Sequence, residues 1–414
     1  MESGKVFTFS LLFLVCIKFF QSFPFSREFF LLQGVMLIIF SGYLGFYIYT
    51  KIISNSGFSK YEFSIIFIAL FFPLYSAFCA NLMFGQPPLF GILGERDWLT
   101  VLMGLVILNK FKTKKWTEKM FENSFVFLSW FSLLLFYGIY LLLDPTLLDR
   151  SFVVFSGFKG AHYKVNPYFI VFGFIYYYLL FFNKKQIKYL VISTLFIIYV
   201  VFFDKGRGLF MVMGLMIFLI TVFKSRNRIK GVISLFLISL LLFVVWKVVS
   251  PEGENVLINS FKPIFGISSV NQTVKSHSIN ARFDEIDNIL FLFRKNPGTI
   301  LFGVGGLSAK WNNGFNGEFG YFHPSDVGVL GVIFIYGFLG LFVMLIHLFF
   351  MYGGKSSVKR RESVFYNSLE YFLVFLMIRS TLTGMIFFNP AVFIIPGAVY
   401  FSIKNWSYNI DDEK

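Results

Sequence analysis

Arg282, His323 and Asp326 lie in one stretch, Ser250 to Asp326, of roughly 75 residues in a chain that is otherwise almost continuously apolar. A guanidinium binds phosphate oxygens bidentately, and an imidazole exchanges a proton near neutral pH. Lys205 and Arg207 form a basic pair in the short segment FFDKGRGLF, and Arg379 interrupts the apolar run LMIRSTLTGMIF. Together these groups could hold an anionic leaving group and move a proton. If Arg207 meets Arg282 and His323, the chain reads as an enzyme. Glu95 and Asp97 flank Arg96, and carboxylates one residue apart can also ligate a divalent cation. That reading ranks below the arginine chemistry, because short acidic pairs are common. His347 has no charged neighbour and reads as a hydrogen-bonded core histidine.

The elements that position these groups are set by composition. Of the 414 residues, 57% are hydrophobic, 21% aromatic and only 14% charged, with 62 Phe; soluble domains carry about a quarter charged residues. The mean hydropathy of +0.71 and repeated long apolar runs define an all-α polytopic membrane protein. A membrane β-barrel would alternate polar and apolar residues, and nothing here alternates that way. The net charge of +15 arises from Lys and Arg in short loops, so nucleic acid is not an expected partner. Cys16 and Cys79 sit in apolar runs and offer no disulfide framework. Val6 to Phe20 lacks a small-residue cleavage site and reads as a retained span, not a signal peptide.

About twelve runs are apolar enough to span a bilayer. They lie near Val6–Phe20, Phe29–Tyr49, Tyr61–Leu82, Phe90–Leu108, Phe125–Leu143, Pro167–Phe182, Tyr189–Phe203, Leu209–Phe223, Gly231–Val249, Val327–Phe350, Tyr371–Phe388 and Ala391–Ile403. The fourth is the weakest, because Glu95, Arg96 and Asp97 occupy its first half. Basic clusters at Lys110–Lys119, Lys184–Lys188, Lys224–Lys230 and Lys355–Arg361 recur every second loop. With positive charge retained inside, both termini are cytoplasmic and the long loop is extracytoplasmic. The expected division is residues 1–249 as nine spans, 250–326 as the external loop, and 327–414 as three spans and a cytoplasmic tail. No pair of Gly/Pro-broken spans at matching positions points to a transporter.

Inside the long loop, ARFDEIDNILFLFR places Phe283, Ile286, Leu290 and Phe293 at helical spacing. A short amphipathic helix is expected, with Asn280 as its N-cap, Arg282 in its first turn and Asn296-Pro297-Gly298 ending it. LFGVGGLSAKWNNGFNGEFG follows. It is too rich in glycine for a regular helix, and could wrap a ligand through Lys310 and Trp311 or form an ordinary surface loop. His323 then precedes Pro324, Ser325 and Asp326 at the mouth of the next span.

Arg282, Pro297, Gly303, Gly305 and His323, followed by a span containing YGFLG, resemble the superfamily of O-antigen polymerases and O-antigen ligases. FFDKGRGLF is similar to a span-turn-span segment of the same superfamily. The resemblance covers about Pro167 to Phe350. It implies a multi-pass glycosyltransferase of the bacterial cytoplasmic membrane that needs no metal or other cofactor. Its donor would be a polyprenyl-diphosphate-linked oligosaccharide on the outer leaflet. Other partners would be membrane lipid and a separate chain-length regulator. The resemblance carries catalytic roles to Arg207, Arg282 and His323. Lys205, Arg379, Asp326, Lys310 and Trp311 are the expected diphosphate and sugar contacts. Ligases of the superfamily often have Asn after the His, where this chain has Pro324, so a polymerase is favoured.

Bland roles stay open beside these. Arg207 could snorkel to headgroups, although external loops are normally poor in basic residues. Arg282 could pair with Asp284, Glu285 or Asp287, and Asp326 could cap the following span as readily as orient His323. A ligase and a lipid-linked oligosaccharide flippase are the competing functions. The flippase would be expected to carry charge deep in many spans.

Overall fold

The computed structural model describes residues 2–20, 26–55, 57–144, 153–156, 160–163, 166–200, 207–224, 277–353 and 363–406, with 26–30, 153–156, 160–163, 207 and 277–281 described through their backbone alone. Among the described residues four helices are long and apolar enough to cross a bilayer: Leu31–Ile53, Lys60–Phe84, Glu118–Leu142 and Val329–Tyr352. The chain is thus a helical membrane protein. The ninth apolar run, Gly231–Val249, the first part of the long loop and Lys205 lie outside the described residues.

The first helices are α1 (Glu2–Cys16), α2 (Ser26–Ile53) and α3 (Lys60–Phe84). Ser59 and Glu62 start α3 by exchanging hydrogen bonds with each other's backbone N–H, and Gly85, at φ 72°, ends it. The fourth apolar run is not one helix. It divides into α4 (Pro88–Gly94), a 3-10 turn (Arg96–Leu102) and α5 (Met103–Lys112), with Glu95 at the break. Next come α6 (Glu118–Leu142), a small hairpin of β1 (Val153–Ser156) and β2 (Gly160–Tyr163), α7 (Tyr168–Lys184), α8 (Ile187–Ile198) and α9 (Arg207–Lys224). The hairpin is the one element of its kind among the described residues, and it was not expected.

The described part of the long loop forms α10 (His277–Lys295), α11 (Gly298–Phe302), α12 (Phe315–Phe319) and a 3-10 turn (Pro324–Val327). The chain then enters α13 (Val329–Tyr352), α14 (Val364–Thr383), α15 (Met385–Phe388) and α16 (Ala391–Trp406). The eleventh run therefore begins earlier than its hydropathy indicated, where Ser363 caps Tyr366 N–H, and it ends at Gly384 in the left-handed conformation.

Nearly every residue of α16 is buried, and it packs against α5, α14, α13 and the Arg96–Leu102 turn, so the core is centred there. Trp98 is fully buried and stacks on Phe72 with ring centroids 3.9 Å apart. The ends that carry the basic clusters come together. Lys119, Lys184 and Ser363 line one recess, Lys224 Nζ donates to Asn367 Oδ1 at 2.8 Å, and Lys404 Nζ donates to the Tyr352 carbonyl at 2.6 Å. Lys112 Nζ lies 6.0 Å from the Trp406 ring centre at the same end.

α13 is also broken. Gly337 adopts φ 65° and ψ −177°, a conformation almost confined to glycine. The break frees the carbonyls of Phe334 and Ile335, which accept from Val304 N at 2.8 Å and Gly305 N at 2.9 Å. The glycine-rich stretch thus serves as backbone partner to an opened helix. Irregular backbone at membrane depth requires such a partner, since lipid offers none.

Candidate functional site

The two helix breaks face one another. Tyr336, immediately before Gly337, donates its hydroxyl to Glu95 Oε2 at 2.8 Å, and Ser76 of α3 donates to Glu95 Oε1 at 3.2 Å. Trp98 Nε1 in turn donates to the Tyr336 hydroxyl at 3.3 Å, and the Gly306 N–H donates to Ser76 Oγ at 2.7 Å. Gln86 fastens the glycine-rich stretch from the other side, donating to the Gly306 carbonyl and accepting from Ser308 N–H. A Cβ on Gly305 would come within 2.2 Å of the Ser76 carbonyl, so only glycine lets the backbone run this close to α3.

A cavity of about 450 Å³ opens at this junction. Glu95, Arg96, Asp97, Lys18, Lys310 and His323 supply its ionisable lining, while Phe90, Phe315, Phe387 and Phe388 supply apolar walls. The Glu95 carboxyl receives the hydroxyls of Tyr336 and Ser76 and has Asp97 and the Lys18 ammonium beside it. Asp97 forms an ion pair with Lys18 and accepts from Gln33 Nε2 at 3.4 Å. The carboxylates weighed as a divalent pair are therefore engaged separately, Asp97 by Lys18 and Glu95 by two hydroxyls. Among the described residues no cluster of three or more His, Cys, Asp and Glu is placed to hold a metal ion.

A second group adjoins the cavity through His323. Glu285 is fully buried on α10, and its Oε1 accepts the His323 backbone N–H at 2.9 Å. Burial and Asp326 raise the Glu285 carboxyl, whereas that backbone hydrogen bond and the charges of His323 and Arg282 oppose the rise. Arg282, Glu285, His323, Asp326 and Tyr321 thus share one electrostatic neighbourhood. The Tyr321 and His323 rings meet edge to face at 4.9 Å.

Several expectations are corrected here. α10 begins at His277, so Asn280 is not its cap and Arg282 lies beyond the first turn. Its buried face runs through Glu285, Ile289 and Phe293, whereas Phe283, counted on the apolar face by hydrophobic spacing, is 61% exposed. Hydropathy missed this face because a carboxylate anchors it. Asp326 does not cap α13, whose N-cap is Gly328, and among the described residues no hydrogen bond joins its carboxylate to the His323 ring. No ion pair of Arg282 with Asp284, Glu285 or Asp287 is found among the described residues.

The other expected site residues divide. His323 and Lys310 line the cavity, but Trp311 does not; it belongs to the turn that follows, its N–H bonded to the Ser308 carbonyl. Arg379 is half-buried beside the start of α9, where a Cβ on Gly208 would lie 2.6 Å from Arg379 Nη1. Arg207 opens α9, so its backbone adjoins Arg379, while its side chain is outside the described residues. Gly328 rests on the carbonyls of Thr381 and Leu382, which brings the His323–Val327 turn to the same end of α14 as Arg379. Lys18, Ser76 and Tyr336 were missed. Their signals were faint: a lysine inside the first apolar run, a lone serine, and a tyrosine directly before the glycine of YGFLG.

The chain matches no family model, no curated protein and no solved structure.

Proposed function

We propose that this membrane protein is a glycosyltransferase that polymerises oligosaccharide repeat units carried on polyprenyl diphosphate, at the outer face of the bacterial cytoplasmic membrane. In this reading the chain crosses the bilayer twelve times with both termini inside. The fourth crossing is the Arg96–Leu102 turn together with α5, and the ninth is residues 231–249. The gathering of Lys112, Lys119, Lys184, Lys224 and Lys404 at one end supports the orientation, since positive charge is retained on the cytoplasmic side.

One observation carries the reading: His323 lines a cavity furnished with Arg96, Lys18 and Lys310 and shares with Arg282 the neighbourhood of Glu285. Charge develops on a diphosphate as its glycosidic bond breaks, and fixed cations stabilise that charge without a cofactor. The phenylalanine walls suit the apolar face of a sugar or the first isoprene units. Arg379, beside the start of α9, extends the basic surface toward the headgroup region. The ligase alternative differs only in its acceptor.

A transporter of lipid-linked oligosaccharide is the second reading, and the facing breaks at Glu95 and Gly337 favour it, because discontinuous helices mark transporter binding sites. The distinguishing experiment is loss of the gene followed by mass analysis of lipid-linked sugar on each leaflet. A lost polymerase leaves single repeat units outside, and a lost transporter leaves them inside. Arg282→Ala and His323→Ala should each reduce chain extension by about a hundredfold or more while the protein persists in the membrane. Normal long-chain polymer from both variants would refute the catalytic reading.

A further inference from the structure

We propose that Glu95 is a catalytic residue of the reaction set out above, the base that takes the proton from the acceptor sugar hydroxyl, with His323 left to bind and orient. The proposal rests on the glycosyltransferase reading and names a residue that the reading does not require.

A base must be held, aimed and open to substrate. Glu95 meets all three conditions. Each of its oxygens accepts from a hydroxyl whose own direction is fixed by a further donor: Trp98 N–H to Tyr336 O–H to Oε2, and Gly306 N–H to Ser76 O–H to Oε1. These two relays leave a lone pair on each oxygen and hold the carboxylate rigid. Gly306 makes room for it, since a Cβ there would lie 2.2 Å from Oε1. The same carboxylate lines the cavity that His323, Arg96 and Lys310 enter. His323 is less suited to be the base, because its ring is exposed and, among the described residues, accepts or donates no hydrogen bond that would fix its tautomer.

In the step, the acceptor oxygen bonds to the donor's anomeric carbon as the bond from that carbon to the diphosphate oxygen breaks. The electron pair leaves on polyprenyl diphosphate, near Arg96 and Lys310, and the proton passes to Glu95. Glu95 then returns it to water at the cavity mouth. The charged and titratable groups around Glu95 are Arg96 and Asp97, the next two residues on the 3-10 turn, Lys18 paired with Asp97, Tyr336 on α13, and Lys310 and His323 of the same cavity lining.

The test uses membrane vesicles from cells deleted for the gene and resupplied with each variant, the accumulated lipid-linked glycan serving as the probe. Wild-type extension should rise with pH to a plateau as the Glu95 carboxyl ionises, while Glu95→Gln should run about a hundredfold below that plateau and show no rising limb. Tyr336→Phe removes one donor and should move the rising limb to higher pH; His323→Gln should leave its midpoint in place. Thermal unfolding of each purified variant reports folding. Folded Glu95→Gln with wild-type rate and pH profile overturns the assignment. If that variant does not fold, an unmoved limb in Tyr336→Phe overturns it instead. Wild-type vesicles that extend nothing would remove the functional reading itself.

Discussion

Gly337→Ala tests whether the opened helix is what assembles this site. A Cβ at Gly337 would lie 2.2 Å from the Leu301 carbonyl oxygen and 2.6 Å from Gly303 N. Neither atom can swing away, because both are backbone atoms of α11 and its cap, where the Gly303 N–H donates to the Thr299 carbonyl at 2.7 Å. Placing alanine at φ 65°, ψ −177° costs about 1–3 kcal/mol before any contact is counted. Relief by separation would lengthen the bonds from Val304 N and Gly305 N to α13, each with a net value of roughly 0.5–1.5 kcal/mol and more where no water replaces it. The sum is about 2–6 kcal/mol. Gly42→Ala on α2 is the internal control: nothing lies within 4 Å of its new methyl, and a helical Gly→Ala change stabilises by roughly 0.5–1 kcal/mol.

The assay is thermal unfolding of purified protein in detergent, paired with chain extension in vesicles. Gly337→Ala should melt well below wild type and lose extension, since Tyr336 is the next residue and would no longer reach Glu95. Gly42→Ala should match or exceed wild type in both. Equal melting and equal activity for Gly337→Ala and wild type would refute the claim that the close passage of the glycine-rich stretch over α13 is required.

Two further outcomes follow from the charges around Glu95. Lys18→Met leaves the half-buried Asp97 unpaired and should cost about 1–2 kcal/mol, between the values for exposed and buried pairs. It also withdraws a cation that favours ionised Glu95, so the pH limb of extension should move upward, and an unmoved limb would show that Lys18 does not act on Glu95.

Most helices were legible because a spanning helix needs a long apolar run, and α2, α3, α7, α9, α13 and α16 stand where hydropathy put them. The breaks were not legible. Gly337 sits in an apolar run that hydropathy reads as continuous, and Glu95-Arg96-Asp97 merely weakened a run that the chain in fact divides. Both breaks depend on partners distant in sequence: Val304 and Gly305 for α13, Tyr336 and Ser76 for Glu95. The site was legible in part. His323 and Arg282 were chosen for their chemistry, and Glu285 does join them, but the buried face of α10 turns on that carboxylate, which a hydrophobic count assigns to water.

The facing breaks explain why polar chemistry gathers here and not elsewhere in the bundle. A continuous helix satisfies its own backbone and leaves a membrane core nothing to bind. Opening α13 exposes two carbonyls, which draw the glycine-rich stretch inward and bring Gly306 to Ser76. Ending α4 at Gly94 brings Glu95 to Tyr336 and sends Trp98 into the core, where it stacks on Phe72 and donates to the same tyrosine. Each irregularity supplies the partner that the other lacks, so removing either strands the polar groups of both. The cavity, the oriented carboxylate and the cations beside it are then consequences of one packing solution, and a substitution that closes either break should abolish all three together.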